Sequence, residues 1–178
     1  RIHDIALFVP EKQADGRIDL GEPIPISNVC IGISTHSGIA SSIVSRGDKI
    51  HVAWAEATDP DIKVPGVPTY VATYDRSTGT LSKPALVGYG PPANDVHNTP
   101  SITMDSEGYL HVLIGTHGYT FPYVKSLAPN DSQSGWSEAA LLGPGIRQTY
   151  VGFVCGLDDT LHVVFRQWNL DTTYFPAS

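Results

Sequence analysis

The sequence predicts an all-β protein, and more closely a β-propeller built from four-stranded antiparallel blades. Short runs rich in β-branched and aromatic residues alternate with turns rich in glycine and proline, which is the pattern of strands. No stretch shows the periodicity of an amphipathic helix. A strand–turn–strand pattern also recurs at intervals of about 50 residues, which is typical of propeller blades.

The repeated unit is a hairpin that occurs as SSIVSRGDKIHVAWAEA, PSITMDSEGYLHVLIGTHG and VGFVCGLDDTLHVVFRQW. The second strand of each copy opens with an apolar residue, His and Val, so that His51, His111 and His162 are equivalent. A residue shared by all repeats usually serves the scaffold, and we expect these histidines to satisfy turns or pack between blades. The predicted hairpins span residues 41–57, 100–118 and 151–168.

Two further strand candidates follow each of the first two hairpins and complete four strands per blade. They are residues 68–75 and 81–88 after the first hairpin, and 119–126 and 136–143 after the second. The final stretch, TTYFPAS, resembles the third-strand position of the next blade.

Three repeats account for the chain, whereas closed propellers have about four to eight blades. We therefore expect residues 1–178 to be the N-terminal part of a single propeller domain, with about three blades here and more blades beyond Ser178. An open fragment of this kind would expose strand edges and be prone to association.

Composition excludes several classes of partner. The formal net charge is −7 and the chain has no basic run, so nucleic acid and anionic membranes are poor partners. No apolar run approaches the roughly 18 residues of a membrane span, and no signal peptide is visible, as in a mature chain whose signal has been removed. Cys30 and Cys155 lie in apolar, strand-like runs, and we expect them to be buried free thiols.

The hairpin geometry predicts a cluster of polar residues at one rim. In an antiparallel hairpin the start of the first strand lies beside the end of the second. His97 precedes the first strand of the second hairpin and His117 ends its second strand, so we expect the two imidazoles to meet. The equivalent positions of the other hairpins complete the predicted rim set with His36, Glu56, Tyr150 and Arg166.

Histidine, tyrosine and arginine together can supply proton transfer and anion binding. The alternative interpretation of this rim set is a group of solvated strand ends, because polar residues are ordinary there. Lys125 is a further candidate that would face a sulfate or carboxylate, or else lie at a solvated edge. Tyr119 and Tyr123 are candidates for stacking on a sugar ring, with core packing as the alternative.

The segment DVHNTPSITMDSEGYLHVLIGTHG resembles the His-Asn-x-Pro … Asp-x-x-Gly-Tyr-Leu-His-Val … Gly-x-His-Gly stretch of BNR-type propellers that act as polysaccharide lyases. Among these it is most similar to the ulvan lyase group, whose propellers have seven blades. TYVGFVCGLDDTLHVVFRQW resembles the next blade of that group, and the resemblance is strongest from Asp95 to Trp168. Members of the group are much longer than this chain.

The resemblance implies β-elimination at a uronic acid of a sulfated algal polysaccharide by a secreted or periplasmic enzyme of a marine bacterium. His97 and His117 match the active-site histidines of the family, Tyr150 matches its acid and base, and Arg166 matches the arginine that neutralises the uronate. The group also carries a structural metal ion, for which we identify no ligands in this chain. We expect no cofactor to be required for catalysis and place any structural metal outside this segment.

The expected chemistry suits these residue types. Elimination removes the C5 proton of an anionic uronate, so a cation on the carboxylate is needed, and Arg166 is always charged and can bind a carboxylate with two hydrogen bonds. Tyrosine is a poor base unless nearby positive charge stabilises its anion. Tyr150 and His97 are both candidates for the base, and the sequence does not decide between them.

Three rival interpretations remain at this stage. A sialidase-like hydrolase would need several arginines and a tyrosine paired with an acid, whereas the rim offers Arg166 and a weak second in Arg147. Other glycosidases generally need two carboxylates, and the rim offers only Glu56. A non-catalytic carbohydrate-binding propeller would need aromatic platforms rather than a Tyr/His/Arg cluster. A zinc site at His97 and His117 would need further ligands, and no nearby carboxylate or cysteine is obvious.

Overall fold

The computed structural model describes residues 2–32, 41–59, 65–92 and 94–167. These residues form sixteen strands and one short 3₁₀ helix, Val96–Asn98, and every strand pairing is antiparallel. The all-β, antiparallel prediction is therefore confirmed. In chain order the strands are β1 His3–Leu7, β2 Pro10–Lys12, β3 Ile18–Leu20, β4 Ile24–Gly32, β5 Ile43–Arg46, β6 Lys49–Glu56, β7 Pro68–Asp75, β8 Thr80–Leu81, β9 Ala85–Tyr89, β10 Ser101–Met104, β11 Leu110–Leu113, β12 His117–Tyr119, β13 Phe121–Lys125, β14 Ala140–Leu142, β15 Gln148–Cys155 and β16 Leu161–Gln167.

The first sheet contains the first repeated hairpin, β5 and β6. It has seven strands in the order β1-β4-β6-β7-β8, with β5 also paired to β6 and β9 to β7. The hairpin turns at Gly47 and Asp48, where Gly47 has a φ of 59° that glycine adopts without a steric cost. The third strand, β7, occupies the predicted residues 68–75, and β9 supplies the fourth.

The second sheet has the four strands predicted for a blade, whereas the first has seven and the third has three within the described residues. The second has the order β10-β11-β13-β14, and its hairpin turns within Asp105–Gly108, as predicted. The third has the order β12-β15-β16. The strands expected after the third hairpin lie outside the described residues, as do Trp168 and the stretch TTYFPAS.

The hydrophobic cores lie between successive sheets. Val71 of the first sheet clusters with Ile102 and Val112 of the second, all of them buried. Phe121 of the second sheet clusters with Val151 of the third and meets the ring of Phe165 edge to face. The sheets thus pack against one another in chain order, as neighbouring blades do. The described sheets do not close into a ring, so a closed propeller and its number of blades stay predictions.

Two of the repeated histidines serve the scaffold. His51 is fully buried, with its ring nitrogens 2.8 Å from Thr73 Oγ1 and 3.0 Å from Asn130 Oδ1. His111 is buried between Tyr123 and Asp105. His162 lies on the exposed strand β16, so its environment differs from that of the other two.

Both cysteines are free thiols, as expected. Cys30 is fully buried in β4, and burial raises the pKa of its thiol, an effect that the backbone N–H of Gly32 partly offsets. Cys155 is only half-buried, so the expectation of burial is correct for Cys30 alone. Within the described ranges, the chain contains no helix with the length and apolarity needed to cross a membrane.

Candidate active site

The candidate site begins at a capped turn. Asp95 has an extended backbone and precedes the 3₁₀ helix Val96–Asn98, and its carboxylate Oδ1 accepts a hydrogen bond from the backbone N–H of His97 at 3.0 Å. Thr99 closes the turn, since its hydroxyl donates to the carbonyl of Val96 at 2.6 Å. This local structure fixes the direction in which the His97 side chain leaves the backbone.

Gly115 allows a second segment to pass directly against this turn. A Cβ atom at Gly115 would lie 2.2 Å from the carbonyl carbon of Asn98 and 2.4 Å from the carbonyl oxygen of Thr99. Real side chains do not reach such distances, so only glycine permits this approach of two backbones. The chain that leaves β11 therefore runs beside the capped turn and delivers His117 next to His97.

His117 lies beside His97 as predicted, but it does not end the second strand of the hairpin as expected. The second strand of the hairpin, β11, ends at Leu113, and His117 opens the separate strand β12. Strand β12 pairs with β15 of the third sheet, with His117 opposite Thr149. The two imidazoles do meet, with ring centroids 4.1 Å apart and planes inclined by 27°.

The carboxylate of Asp95 links the two rings. Its Oδ1 is in short contact with Nδ1 of His97, and its Oδ2 lies 2.6 Å from Nδ1 of His117. Partial burial would raise the pKa of Asp95, but the hydrogen bonds from the backbone and ring of His97 and from the ring of His117 outweigh it and lower the pKa to about 2. Asp95 is thus a carboxylate at any ordinary pH.

Tyr150 reaches the pair from the third sheet. Its hydroxyl lies 2.8 Å from Nε2 of His97. The residue lies inside β15, rather than before the hairpin as expected, where the register with β16 shifts between Thr149 and Gly152. Tyr150 has a φ of 57°, a left-handed conformation that costs a non-glycine residue about 1–2 kcal/mol. Such irregularities redirect side chains and are concentrated at functional sites.

Arg166 completes the cluster from the neighbouring strand. It lies in β16 opposite Thr149, and its Cζ atom is 4.4 Å from the centre of the Tyr150 ring. A guanidinium over an aromatic face is an attractive cation–π arrangement. Arg147 lies at the margin of the cluster, where its Nε donates to the carbonyl of Gly118 at 2.8 Å.

The structure therefore brings the predicted catalytic residues into one contiguous group. The side chains are accessible: 31% of the Asp95 side chain is exposed, 17% of His97 and 30% of His117. An ionised carboxylate, two imidazoles, a phenol and a guanidinium thus lie in a continuous series of contacts. Chemically, such a group can move a proton and neutralise an anion. The group, hereafter the His–Tyr cluster, consists of Asp95, His97, His117, Tyr150 and Arg166.

The predicted substrate-binding residues are placed differently. Lys125 pairs with Asp105 at 3.3 Å and lies over the ring of Tyr109, and the Tyr123 hydroxyl is 2.7 Å from Nδ1 of His111. These contacts form a scaffold group in the second sheet and account for both residues without a substrate. Their part in substrate binding stays a prediction that no contact with the His–Tyr cluster supports.

Glu56 and Tyr119, two further predicted substrate-binding residues, make no hydrogen bond with the cluster within the described residues either. Glu56 accepts hydrogen bonds from Ser27 at 2.7 Å and from the Trp54 indole at 2.9 Å, which explains it as a structural carboxylate. Tyr119 is 57% exposed, beside a shallow cavity of about 220 Å³ that Tyr89 also lines. His36 lies outside the described residues.

Asp95 is the residue of the His–Tyr cluster that the sequence analysis missed. The expectation that no carboxylate lies near His97 and His117 was wrong, since Asp95 contacts both rings. The local signal was present, because an aspartate two residues before a histidine and ahead of a short turn is a typical capping position. Its second contact, with His117, depends on the approach at Gly115 and has no local signature.

Asp95, His97 and His117 also form the only group within the described ranges that has the composition of a metal site, with candidate ligand atoms within 4.8 Å of one another. A tetrahedral zinc ion would hold nitrogen and oxygen ligands roughly 3.4 Å apart. The 2.6 Å between His117 Nδ1 and Asp95 Oδ2 is instead the distance of a hydrogen bond. The contact between Asp95 and His117 is therefore a hydrogen bond here, and a metal ion at this group would require the ligand atoms to move apart.

The fold and the cluster define an antiparallel β-repeat protein with a polar site where two repeats meet. The chain belongs to the BNR repeat-containing family, whose model matches residues 49–175. A comparison with curated proteins finds no match.

Two solved structures share the fold. One is described as the structure of a new family of polysaccharide lyase, PL25 ulvan lyase, with a TM-score of 0.58 and 20% identity over 78% of this chain and 34% of that chain. The other is the same kind of lyase bound to -[GlcA(1-4)Rha3S]-, with a TM-score of 0.57 and 19% identity over 78% of this chain and 34% of that chain. The chain thus spans about a third of the length of these structures.

Proposed function

We propose that this protein is a polysaccharide lyase that cleaves a sulfated, uronic-acid-containing polysaccharide of the ulvan type by β-elimination. The observation that carries the proposal is the placement of Tyr150, with its hydroxyl 2.8 Å from His97 Nε2 and the Arg166 guanidinium 4.4 Å from its ring centre. Membership of the BNR repeat-containing family and the fold shared with ulvan lyases support it.

In the proposed reaction Arg166 binds the carboxylate of the uronate. Removal of the C5 proton places negative charge on a group that is already anionic, and a guanidinium stabilises that charge as it develops. Arg166 is exposed on β16, so its charge is accessible to a ligand.

Tyr150 is the proposed base and acid. Its deprotonated oxygen takes the C5 proton, the electron pair of the C–H bond forms the C4=C5 double bond, and the C4–O4 bond breaks. The leaving O4 then takes a proton from the phenol, so atoms and charge balance. If the two protons lie on opposite faces of the sugar, His97 is the base and Tyr150 the acid. General acid–base catalysis of this kind contributes about 10²–10⁴-fold to a rate.

A hydrolase is less well supported by the same geometry. Glycosidases generally use two carboxylates, one of which must be protonated to act as an acid. The His–Tyr cluster has Asp95 alone, with a pKa of about 2, and it already accepts hydrogen bonds from both histidines. Glu56 is hydrogen-bonded to Ser27 and Trp54.

The remaining elements of the proposal follow from the substrate. In this proposal Arg166 neutralises the charge and Tyr150 or His97 moves the proton, so no cofactor is required for catalysis; any structural metal ion is proposed to lie outside this segment. An anionic polysaccharide is met outside the cytoplasm, and we propose a secreted or periplasmic location. The net charge of −7 means that the substrate is held by local cations and not by the overall field.

The test is the ultraviolet absorbance of the unsaturated uronate when the intact protein meets ulvan. We expect absorbance to rise for the wild type, and Tyr150→Phe to lose at least about 10²-fold in kcat while binding is retained. New reducing ends without absorbance would mean a hydrolase. Binding without either product would mean a carbohydrate-binding protein, and both results would overturn the proposal.

A further inference from the structure

Asp95 occupies a position that the proposed chemistry leaves unexplained. Its carboxylate accepts from the backbone N–H of His97 at 3.0 Å and contacts Nδ1 of both His97 and His117. A carboxylate of pKa about 2 is acceptor-only, so each Nδ1 that contacts it must carry the hydrogen.

This arrangement sets the state of the other ring nitrogen. In a neutral imidazole one nitrogen is a donor and the other an acceptor. With hydrogen on Nδ1, Nε2 of His97 is an acceptor, and the atom 2.8 Å from it is the Tyr150 hydroxyl. The hydroxyl therefore donates to His97, and the hydrogen bond already points along the path that would remove the phenolic proton.

We propose that Asp95 is a positioning residue that holds both imidazoles with hydrogen on Nδ1, so that His97 takes the proton of Tyr150 during the reaction. This inference rests on the proposed function. The O–H bond of Tyr150 breaks, an N–H bond forms at Nε2 of His97, and Asp95 balances the charge of the resulting imidazolium. Arg166 over the ring balances the charge of the phenolate.

The scaffold group of the second sheet provides an internal comparison. Asp105, His111 and Tyr123 form the same kind of chain, with Asp105 Oδ2 3.0 Å from His111 Nε2 and the Tyr123 hydroxyl 2.7 Å from Nδ1. There, however, Lys125 neutralises the carboxylate. Burial raises the pKa of Tyr123, and the charge of Asp105 adds to the effect. Tyr123 therefore stays protonated, whereas the guanidinium of Arg166 lies over the ring of Tyr150.

Asp95 also explains how two imidazoles can stack 4.1 Å apart. Two imidazolium ions at that distance would repel each other strongly. A single carboxylate that contacts both rings compensates one positive charge, whichever ring bears it. The pair can therefore accept the proton of Tyr150 without separating.

The test compares Asp95→Asn and Asp95→Ser with the wild-type intact protein. An asparagine offers one acceptor and one donor, so it forces one ring into the other tautomer, while serine keeps the cap but removes both ring contacts. We expect kcat on ulvan to fall about 10³–10⁴-fold in both variants, as the Asp→Asn change does in Ser-His-Asp proteases. KM should change less than about threefold.

Two readouts separate positioning from a loss of structure. The acid limb of the pH–rate profile should move to lower pH in Asp95→Ser, because removal of the negative charge makes the imidazolium harder to form. Nitrogen-15 spectra of labelled histidine rings should show His97 and His117 with hydrogen on Nδ1 in the wild type, and a changed pattern in both variants. Finding hydrogen on Nε2 of His97 in the wild type would overturn the inference.

The matched control is Asp105→Asn, which removes the equivalent carboxylate of the scaffold group. This variant should have a lower melting temperature, and the pH–rate profile of its folded form should be unchanged. If Asp105→Asn does not fold, Asp48→Asn, at an exposed position, serves as the control instead. A control that reproduced the Asp95 effects would overturn the inference. The ring spectra need no turnover, so they decide the role of Asp95 even if ulvan is not cleaved.

Discussion

The guanidinium of Arg166 lies over the ring of Tyr150, with Cζ 4.4 Å from its centre. The hydroxyl of the same ring lies 2.8 Å from Nε2 of His97. The phenol is thus placed between a permanent cation and a proton acceptor, and this placement depends on the flat shape of the guanidinium. A compact ammonium group would not cover the ring in the same way.

Arg166→Lys should therefore lower kcat on ulvan by about 10²-fold, although the positive charge is retained. Lysine loses both the stacked contact and the capacity to bind a carboxylate with two hydrogen bonds. Initial rates from ultraviolet absorbance provide the measurement. Arg76→Lys, in an exposed pair with Asp48, is the control and should keep the wild-type rate. Retention of most of the activity by Arg166→Lys would show that charge alone suffices.

Gly115→Ala should abolish the proposed activity by displacing the turn that carries His97. The added methyl group would lie 2.2 Å from the carbonyl carbon of Asn98, so the turn that carries His97 must move. A displacement of about 1 Å can cost about 10²-fold in rate. Kinetics on the folded variant measure the effect.

Gly47→Ala is the control for Gly115→Ala, because it has open space around it but a φ of 59°. It should lose about 1–2 kcal/mol of stability and no activity. Equal activity of the two variants would contradict the role given to the contact at Gly115.

Acid should remove the stabilisation that Asp95 provides. The pKa of Asp95 in the folded protein is about 2, below its ordinary 3.8, so its contribution is complete above pH 3.8 and is lost as the pH falls through about 2. The difference in melting temperature between wild type and Asp95→Asn should therefore shrink from about pH 4 to about pH 2. A difference that stayed constant over this interval would contradict the ionised state described here.

His51→Ala should destabilise the protein and spare its chemistry. The ring is fully buried and bonds to Thr73 and Asn130, so its loss leaves a cavity and buried polar groups without their partner. We expect a cost of about 2–4 kcal/mol in urea unfolding, with kcat per folded molecule unchanged. Glu107→Ala, at an exposed turn position, should stay within about 0.5 kcal/mol. A large fall in kcat for His51→Ala would reassign this histidine to the site.

The sequence was informative wherever structure is local. Strand β7 occupies the predicted residues 68–75, and the hairpin turns fall at Gly47 and Gly108. Alternating patterns and turn residues encode these features within a few positions. The meeting of His97 and His117 could also be predicted, although the path between them could not. The break at Leu113 and the transfer of β12 to another sheet depend on tertiary pairing.

The rest of the site depends on contacts between distant segments. Asp95 reads as a cap in the sequence, and its contact with His117 follows from the close approach at Gly115. Lys125 was a candidate for substrate binding because the sequence does not reveal its ion-pair partner. That partner, Asp105, occupies a turn position, which explained it without an ion pair. The left-handed backbone of Tyr150 has no signature in its residue type, since tyrosine rarely adopts it.

Strand β12 follows the second repeat in the chain but pairs with the third sheet, and it carries His117 with it. A scaffold histidine such as His111 has its partners within one repeat, whereas the His–Tyr cluster exists only where two sheets meet. Exchange of one blade between relatives would therefore transplant only half of the cluster, whereas chimaeras that keep residues 95–166 in one piece would transplant all of it.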